Sequence, residues 1–236
     1  MQKQLQEQIA RLRAAGAHYV DARWYPVEET NDLMMWNGNL KEASASRESG
    51  VGVRVLYKGA WGFSAASDAD QLGALFDKAL DNARVAAERI TFPIRLAEKD
   101  AIRATFESPN AINPFTVPLA EKLAFMQTMD AKLNQPGVFQ RICTLTFMRK
   151  QIIFLDSEGS EIEKTITEVF PSIEVVGLDA QGEMHSRKFS PPRMGDTRGW
   201  ETLDMEIFSA NAERIVREMN EVLVAEPCPK DVRSVI

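Results

Sequence analysis

The sequence predicts an α+β protein with antiparallel or mixed β-sheets, helices packed on one face, and two sub-domains. Three observations lead there. Alternating runs are joined by short turns such as Asn37-Gly38 and Lys58-Gly59, which marks neighbouring antiparallel strands. Apolar stripes at helical spacing flank those runs. The order helix, strands, helix occurs once before residues 93–118 and once after them. Expected domains are therefore residues 1–92, a Pro-rich connector at 93–118, a central α+β region at 119–225, and at 226–236 the start of a further, missing domain.

The first helix rests on Leu5, Ile9, Leu12 and Ala15, with Gly16 as its stop. Residues 19–28 read as a strand, with Val20, Ala22 and Trp24 alternating with Tyr19, Asp21, Arg23 and Tyr25. Another strand is expected at 32–36, before the Asn37-Gly38 turn. Residues 39–67 form the organising stretch. There Val51, Val53 and Val55 alternate with Gly52, Arg54 and Leu56, and residues 60–64 return as a hairpin strand. Ser67 or Asp68 is placed to cap a helix over 69–89, with Asp70 in its first turn. Its alanines predict close packing on a sheet.

Pro93, Pro109, Pro114 and Pro118 punctuate the connector, which has little periodicity. A helix over 119–134 follows, with Leu119, Leu123, Met126, Met129 and Leu133 on one side. Strands are expected at 138–148, 151–156, 161–178 and 183–189, with Pro171 marking a bend or an edge. The last helix covers 204–225, with a stripe of Ala212, Ile215, Met219, Val222 and Leu223, and an apolar strand begins at 231–236.

Composition excludes several classes. The chain has 236 residues and a net charge of −6, which disfavours general nucleic-acid binding. Two cysteines, Cys143 and Cys228, make no disulfide framework, so a reducing cytoplasm is expected. No apolar run is long enough to cross a bilayer, so no membrane partner is expected.

Candidate chemistry is sparse. Gly50-Val51-Gly52 lacks the third glycine of a dinucleotide fingerprint and sits in a strand pattern. Ser64 lacks the final glycine of a nucleophile elbow. His18 and His185 are the two histidines, and they form no pair at helical spacing. Cys143 lies in an apolar strand and reads as an inert thiol, and Cys228 lies between prolines. Asp156, Glu158, Glu161, Glu163 and Glu168 cluster along one hairpin; solvation of the sheet is the expected role, and a hard-cation site at Glu161 and Glu163 the alternative. Arg193 and Arg198 sit in a loop that reads as solvated, with proximity to a partner or peptide as the alternative.

The chain resembles the TldD/PmbA family (TldD/TldE), zinc-dependent metalloproteases that work in pairs. The residues carrying the resemblance are Asn37 to Leu40, the Gly-Val-Gly-Val-Arg-Val-Leu run, Gly-Ala-Trp-Gly-Phe-Ser, Arg198 to Glu201 and Ala225 to Pro229. The glycine-rich run is closer to the TldD branch. The resemblance implies the N-terminal and central portion of a metallopeptidase, a hydrolase acting on peptides or unfolded protein segments. The full protein would use a zinc-bound water as nucleophile and a motif glutamate as base. The family's His-Glu-x-x-x-His motif follows the segment that resembles residues 225–236. The expectation is therefore no catalytic, metal-binding or cofactor-binding residue in this chain, no bound zinc, and unassigned substrate-binding residues. Whether the chain is itself an enzyme stays open. A homodimer or a heterodimer with a family partner is implied, as is a cleft wall where a peptide adds a strand to a sheet edge. The alternatives are a non-catalytic PmbA-like partner subunit and an unrelated α+β binding module.

Overall fold

Periodicity places the first helix where the structure has it. Leu5, Ile9 and Leu12 are buried on α1 (Gln2–Ala14), and Gly16, at φ 92°, ends it. The structure is a computed structural model describing residues 1–68, 70–191 and 195–226.

Two long strands follow. β1 (Tyr19–Trp36) is continuous and not the two strands expected at 19–28 and 32–36. Cross-strand bonds carry it through its polar middle: Arg149 Nη2 donates to Glu29 Oε2 at 2.6 Å, and Thr146 Oγ1 to Asp32 Oδ1 at 2.5 Å. The Asn37-Gly38 turn has two left-handed residues, at φ 48° and 75°, as a tight hairpin requires. β2 (Asn39–Tyr57) runs unbroken through Gly50 and Gly52, and β3 (Ala60–Ala66) returns antiparallel from Val51↔Ala66 to Tyr57↔Ala60.

α2 (Leu72–Ala87) starts later than expected, after Gln71, with no side-chain cap. Asp68 Oδ1 instead accepts from the Asp70 N–H at 3.2 Å, closing a local turn ahead of the helix. Ala69, the expected first helical residue, lies outside the described residues. The alanines do pack closely. A Cβ added at Gly62 would lie 2.1 Å from the Ala79 carbonyl oxygen and 2.3 Å from the Ala83 nitrogen, so α2 rests directly on the backbone of β3.

The connector contains a strand the sequence did not reveal. β4 (Arg103–Glu107) is exposed at all five positions, so it has no burial alternation to detect. α3 (Leu119–Leu133) buries Lys122, Phe125, Met126, Met129 and Leu133, while Leu119 is exposed, a face rotated from the expected one. β5 (Gln140–Asp156) is one strand where two were expected. β6 (Glu161–Leu178) passes through Pro171 without a break. That proline lies between the stretches pairing with β4, from Arg103↔Glu161 to Glu107↔Thr165, and with β7 (Met184–Phe189), from Ile173↔Phe189 to Leu178↔Met184, so neither ladder needs its missing N–H. α4 (Met205–Leu223) is capped by Asp204, whose Oδ1 accepts from the Glu206 and Ile207 N–H groups at 2.9 and 3.0 Å. The strand expected at 231–236 lies outside the described residues.

The strands form one seven-stranded mixed sheet in the order β3-β2-β1-β5-β6-β4, with β7 also on β6. The β4–β6 pair is parallel. The fold class is thus α+β, as predicted. The chain divides into two compact units, residues 1–30, 45–109 and 148–167 in one, and 31–44, 110–147 and 168–236 in the other. In the first, α1 and α2 cover Val20, Ala22, Val51, Val53, Val55, Ile153 and Leu155. In the second, α3 and α4 cover Leu33, Met35, Leu145, Phe147, Val169, Ile173 and Val175.

Candidate functional site

Alternation determines what the first unit leaves uncovered. Because Val20 and Ala22 point into the core, Tyr19, Asp21, Arg23 and Tyr25 occupy the opposite face of β1. By the same rule β2 presents Gly50, Gly52 and Arg54 there, opposite Val51, Val53 and Val55. β3 adds Trp61 and Phe63, and β5 adds Ile152 and Phe154. The connector reaches this face through Lys99, whose Nζ lies 5.8 Å from the Tyr19 ring centroid and 5.9 Å from that of Phe154.

Its centre is a buried carboxylate. Asp21 has no exposed side-chain surface and accepts from Arg54 Nη2 at 2.7 Å and Arg54 Nε at 3.0 Å, while Arg23 Nη1 stands 3.6 Å away. One carboxylate thus serves two guanidiniums, each 40% exposed. The hydrogen bond to Asp21 raises the Arg54 pKa further. Arg54 lies over the Trp61 ring at 5.1 Å and Arg23 over Phe154 at 5.3 Å.

A second buried carboxylate lies on the same unit. Asp156 Oδ2 accepts from Lys99 Nζ at 2.6 Å and from the Tyr19 hydroxyl at 3.4 Å, and its Oδ1 takes the Glu158 and Ser160 N–H groups at 2.9 Å. Burial pushes its pKa up, but the bonds from Lys99, Ser160 and Glu158 outweigh that and hold it below the usual carboxylate range. Burial, with Asp21 and Asp156 nearby, drives the Tyr19 phenol well above its ordinary pKa. Tyr19 is therefore a neutral hydrogen-bond donor.

Two grooves open on this face. One, of 340 Å³, has a floor of Gly50, Gly52, Ala65 and Ala66 beside Phe63, Arg23, Tyr25 and Arg54. The other, of 320 Å³, lies among Arg23, Tyr25, Ile152, Phe154, Ile162 and Lys164. They share Arg23 and Tyr25, so they adjoin at β1 and form an interrupted trough across the strands, with those two side chains between its halves. Phe63 is 59% exposed on its rim.

The residues singled out from sequence are dispersed. His18 is exposed, its carbonyl accepting from Arg13. Cys143 is buried in the second unit's core, where burial, with Asp130 adding, pushes its thiol up to about 12, so it is no nucleophile. Ser64 is a buried strand residue. Glu161 and Glu163 are half-buried, and accept from Gln6 and Gln151 at 2.9 and 2.8 Å. Arg198 pairs with Asp196 at 2.6 Å. Arg193 and Cys228 lie outside the described residues. Sequence reasoning missed the Asp21–Arg54–Arg23 cluster. Its signal was present: charged residues recur at the positions of β1 and β2 that alternate with the buried valines and alanine.

Among the described residues, one group brings three potential metal ligands together. The ligand atoms of Asp179, Glu183 and His185 lie within 4.8 Å of one another where the β6–β7 turn meets the first residues of β7. They do not fit a zinc centre. Asp179 spends Oδ1 on the Gln181 and Glu183 N–H groups at 2.9 Å, and Oδ2 on His185 Nε2 at 2.9 Å. These bonds hold the hairpin turn, and they lower the Asp179 pKa, the His185 bond most. No helix of the described residues is long and apolar enough to cross a membrane.

Two family profiles match the chain: PmbA/TldA metallopeptidase domain 1 over residues 27–83, and the PmbA/TldA metallopeptidase central domain over 112–225. A metalloprotease from Methanothermobacter thermautotrophicus is 28% identical over 211 residues, covering 89% of this chain and 44% of that protein. A metalloprotease from Methanocaldococcus jannaschii is 28% identical over 232 residues, covering 98% of this chain and 50% of that protein. The chain thus spans about half the length of these curated relatives. Among solved structures, a proposed modulator of a DNA gyrase from Thermotoga maritima superposes with a TM-score of 0.74 at 16% identity, over 97% of this chain and 50% of that one. TldE from Thermococcus kodakarensis superposes with a TM-score of 0.62 at 13% identity, over 92% of this chain and 47% of that one. These two share the fold, and the profiles establish the kinship: the chain belongs to the PmbA/TldD metallopeptidase family.

Proposed function

We propose that the chain is the N-terminal and central portion of a cytoplasmic, TldD-type zinc metallopeptidase acting on peptides or unfolded protein segments. The observation that carries this reading is the successive match of the family's first and central domains, in that order, along one chain. In this reading the zinc motif belongs to the part of the family architecture that follows the segment resembling residues 225–236, and residues 1–225 supply scaffold and substrate wall. The trough on the first unit suits a wall. It offers aromatic and aliphatic surface between fixed charges. Its small-residue floor admits an extended backbone.

The activity is that of a pair, with a second copy or a PmbA/TldD-family partner. The likeness to TldE supports a second reading, a non-catalytic subunit that shapes a partner's cleft. Metal analysis and a peptide-cleavage assay on the purified chain test the first reading. The expected result is no stoichiometric zinc and no turnover, and zinc bound with turnover would overturn it. Capture of a catalytic homologue by the purified chain favours the second.

A further inference from the structure

We infer that the trough on the first unit selects extended peptide segments in which carboxylate side chains alternate with aromatic or aliphatic ones. This deepens the substrate-wall reading above and rests on it. The argument is charge complementarity on a surface of known composition. Arg54, Arg23 and Lys164 line the two adjoining grooves, no carboxylate is among the lining residues, and the nearby Asp21 is wholly buried and already bonded to Arg54. Arg23 stands off at 3.6 Å from that same carboxylate. Lys164 is exposed. The trough therefore carries surplus positive charge, although the whole chain is at −6.

Between the cations lie Phe63, Tyr25, Ile152, Phe154 and Ile162. The spacing fits a short segment. The trough crosses β3, β2, β1, β5 and β6, four inter-strand gaps of about 4.8 Å, so roughly 19 Å or six extended residues. The Gly50-Gly52 floor adds specificity of shape. A Cβ at Gly52 would come within 3.5 Å of the Phe63 ring and narrow the slot where an aromatic side chain stacks.

The test uses three dye-labelled, N-acetylated hexapeptide amides, (Glu-Phe)3, (Gln-Phe)3 and (Lys-Phe)3, with affinity read by fluorescence anisotropy at low and high salt. The chain's net charge works against the inference, because the long-range field attracts the lysine peptide. A local site instead gives the glutamate peptide at least about tenfold tighter binding than the lysine peptide. That preference falls at high salt. In the double variant Arg23→Gln, Lys164→Gln, affinity for the glutamate peptide drops about three- to tenfold, with the glutamine peptide little changed. Phe63→Ala, at an exposed position, weakens both without unfolding the chain. Equal or tighter binding of the lysine or glutamine peptide overturns the charge inference and leaves the wall reading standing. Glutamate-peptide binding that ignores both variants overturns the location. Failure of all three peptides to bind overturns the inference and the wall reading together.

Discussion

The two units solve one packing problem in opposite ways. Each sets two helices on one face of its strands. The first does so with small residues: Gly62 lies under α2, and Ala79 and Ala83 meet it with no exposed surface. The second does so with bulk. Phe125, Phe147, Phe189, Trp200 and Phe208 stack with centroids 5.2 to 6.2 Å apart, and Met126, Met129 and Met219 fill between them. A small-residue contact brings backbones together and tolerates no added atom. An aromatic contact holds helices further off and suffers most from atoms removed. The first unit's strands keep a second face, opposite the one that α1 and α2 cover, and the Asp21 cluster is there.

That contrast is open to mutation. The largest effect is expected in the second unit. Phe208→Ala empties the centre of its aromatic stack and costs about 3–5 kcal/mol in denaturant unfolding. Gly62→Ala is the first unit's counterpart. Its methyl group has no place beside the Ala79 carbonyl, so it costs about 3 kcal/mol. A neutral result there would mean that α2 does not rest on β3.

Asp156→Asn comes next, at about 2 kcal/mol, because it weakens the bond from Lys99 and leaves an imperfect acceptor. Acid has the same effect. The folded carboxyl lies below its ordinary value, so its contribution is fully present above the unfolded pKa of about 3.9. It is lost as pH falls through the folded value. A carboxyl titration followed by NMR on wild type and Asp156→Asn checks the sign. Asp204→Ala removes the α4 cap and costs about 1 kcal/mol. Arg23→Gln is expected within about 0.5 kcal/mol of wild type, because its side chain is half exposed and Arg54 keeps Asp21 paired.

Much of this architecture was legible in the sequence. α1, the two left-handed turns, β6 and α4 follow from periodicity and from Gly, Asn and Asp chemistry. What escaped did so for physical reasons. β1 and β5 looked broken because polar residues occupy their middles, and bonds such as Arg149 to Glu29 come from another strand. β4 has no buried residue to give it a period. The start of α2 was placed early because Asp68 has the chemistry of a cap but spends it on Asp70. The candidate site was half visible. The alternation of Tyr19, Asp21, Arg23 and Tyr25 is in the sequence, but their meeting with Arg54 and Phe154 depends on strand register, which local pattern does not specify.

The claim at the centre is that the first unit's sheet face opposite α1 and α2 receives an extended peptide. Backbone and side-chain NMR of the whole chain, titrated with the (Glu-Phe)3 amide, tests it most directly. The account predicts shifts concentrated at Arg23, Tyr25, Gly52, Phe63, Phe154 and Lys164. Shifts confined to the 630 Å³ groove lined by Pro136, Val216, Asn220 and Val224, with the first unit's face unmoved, would contradict it.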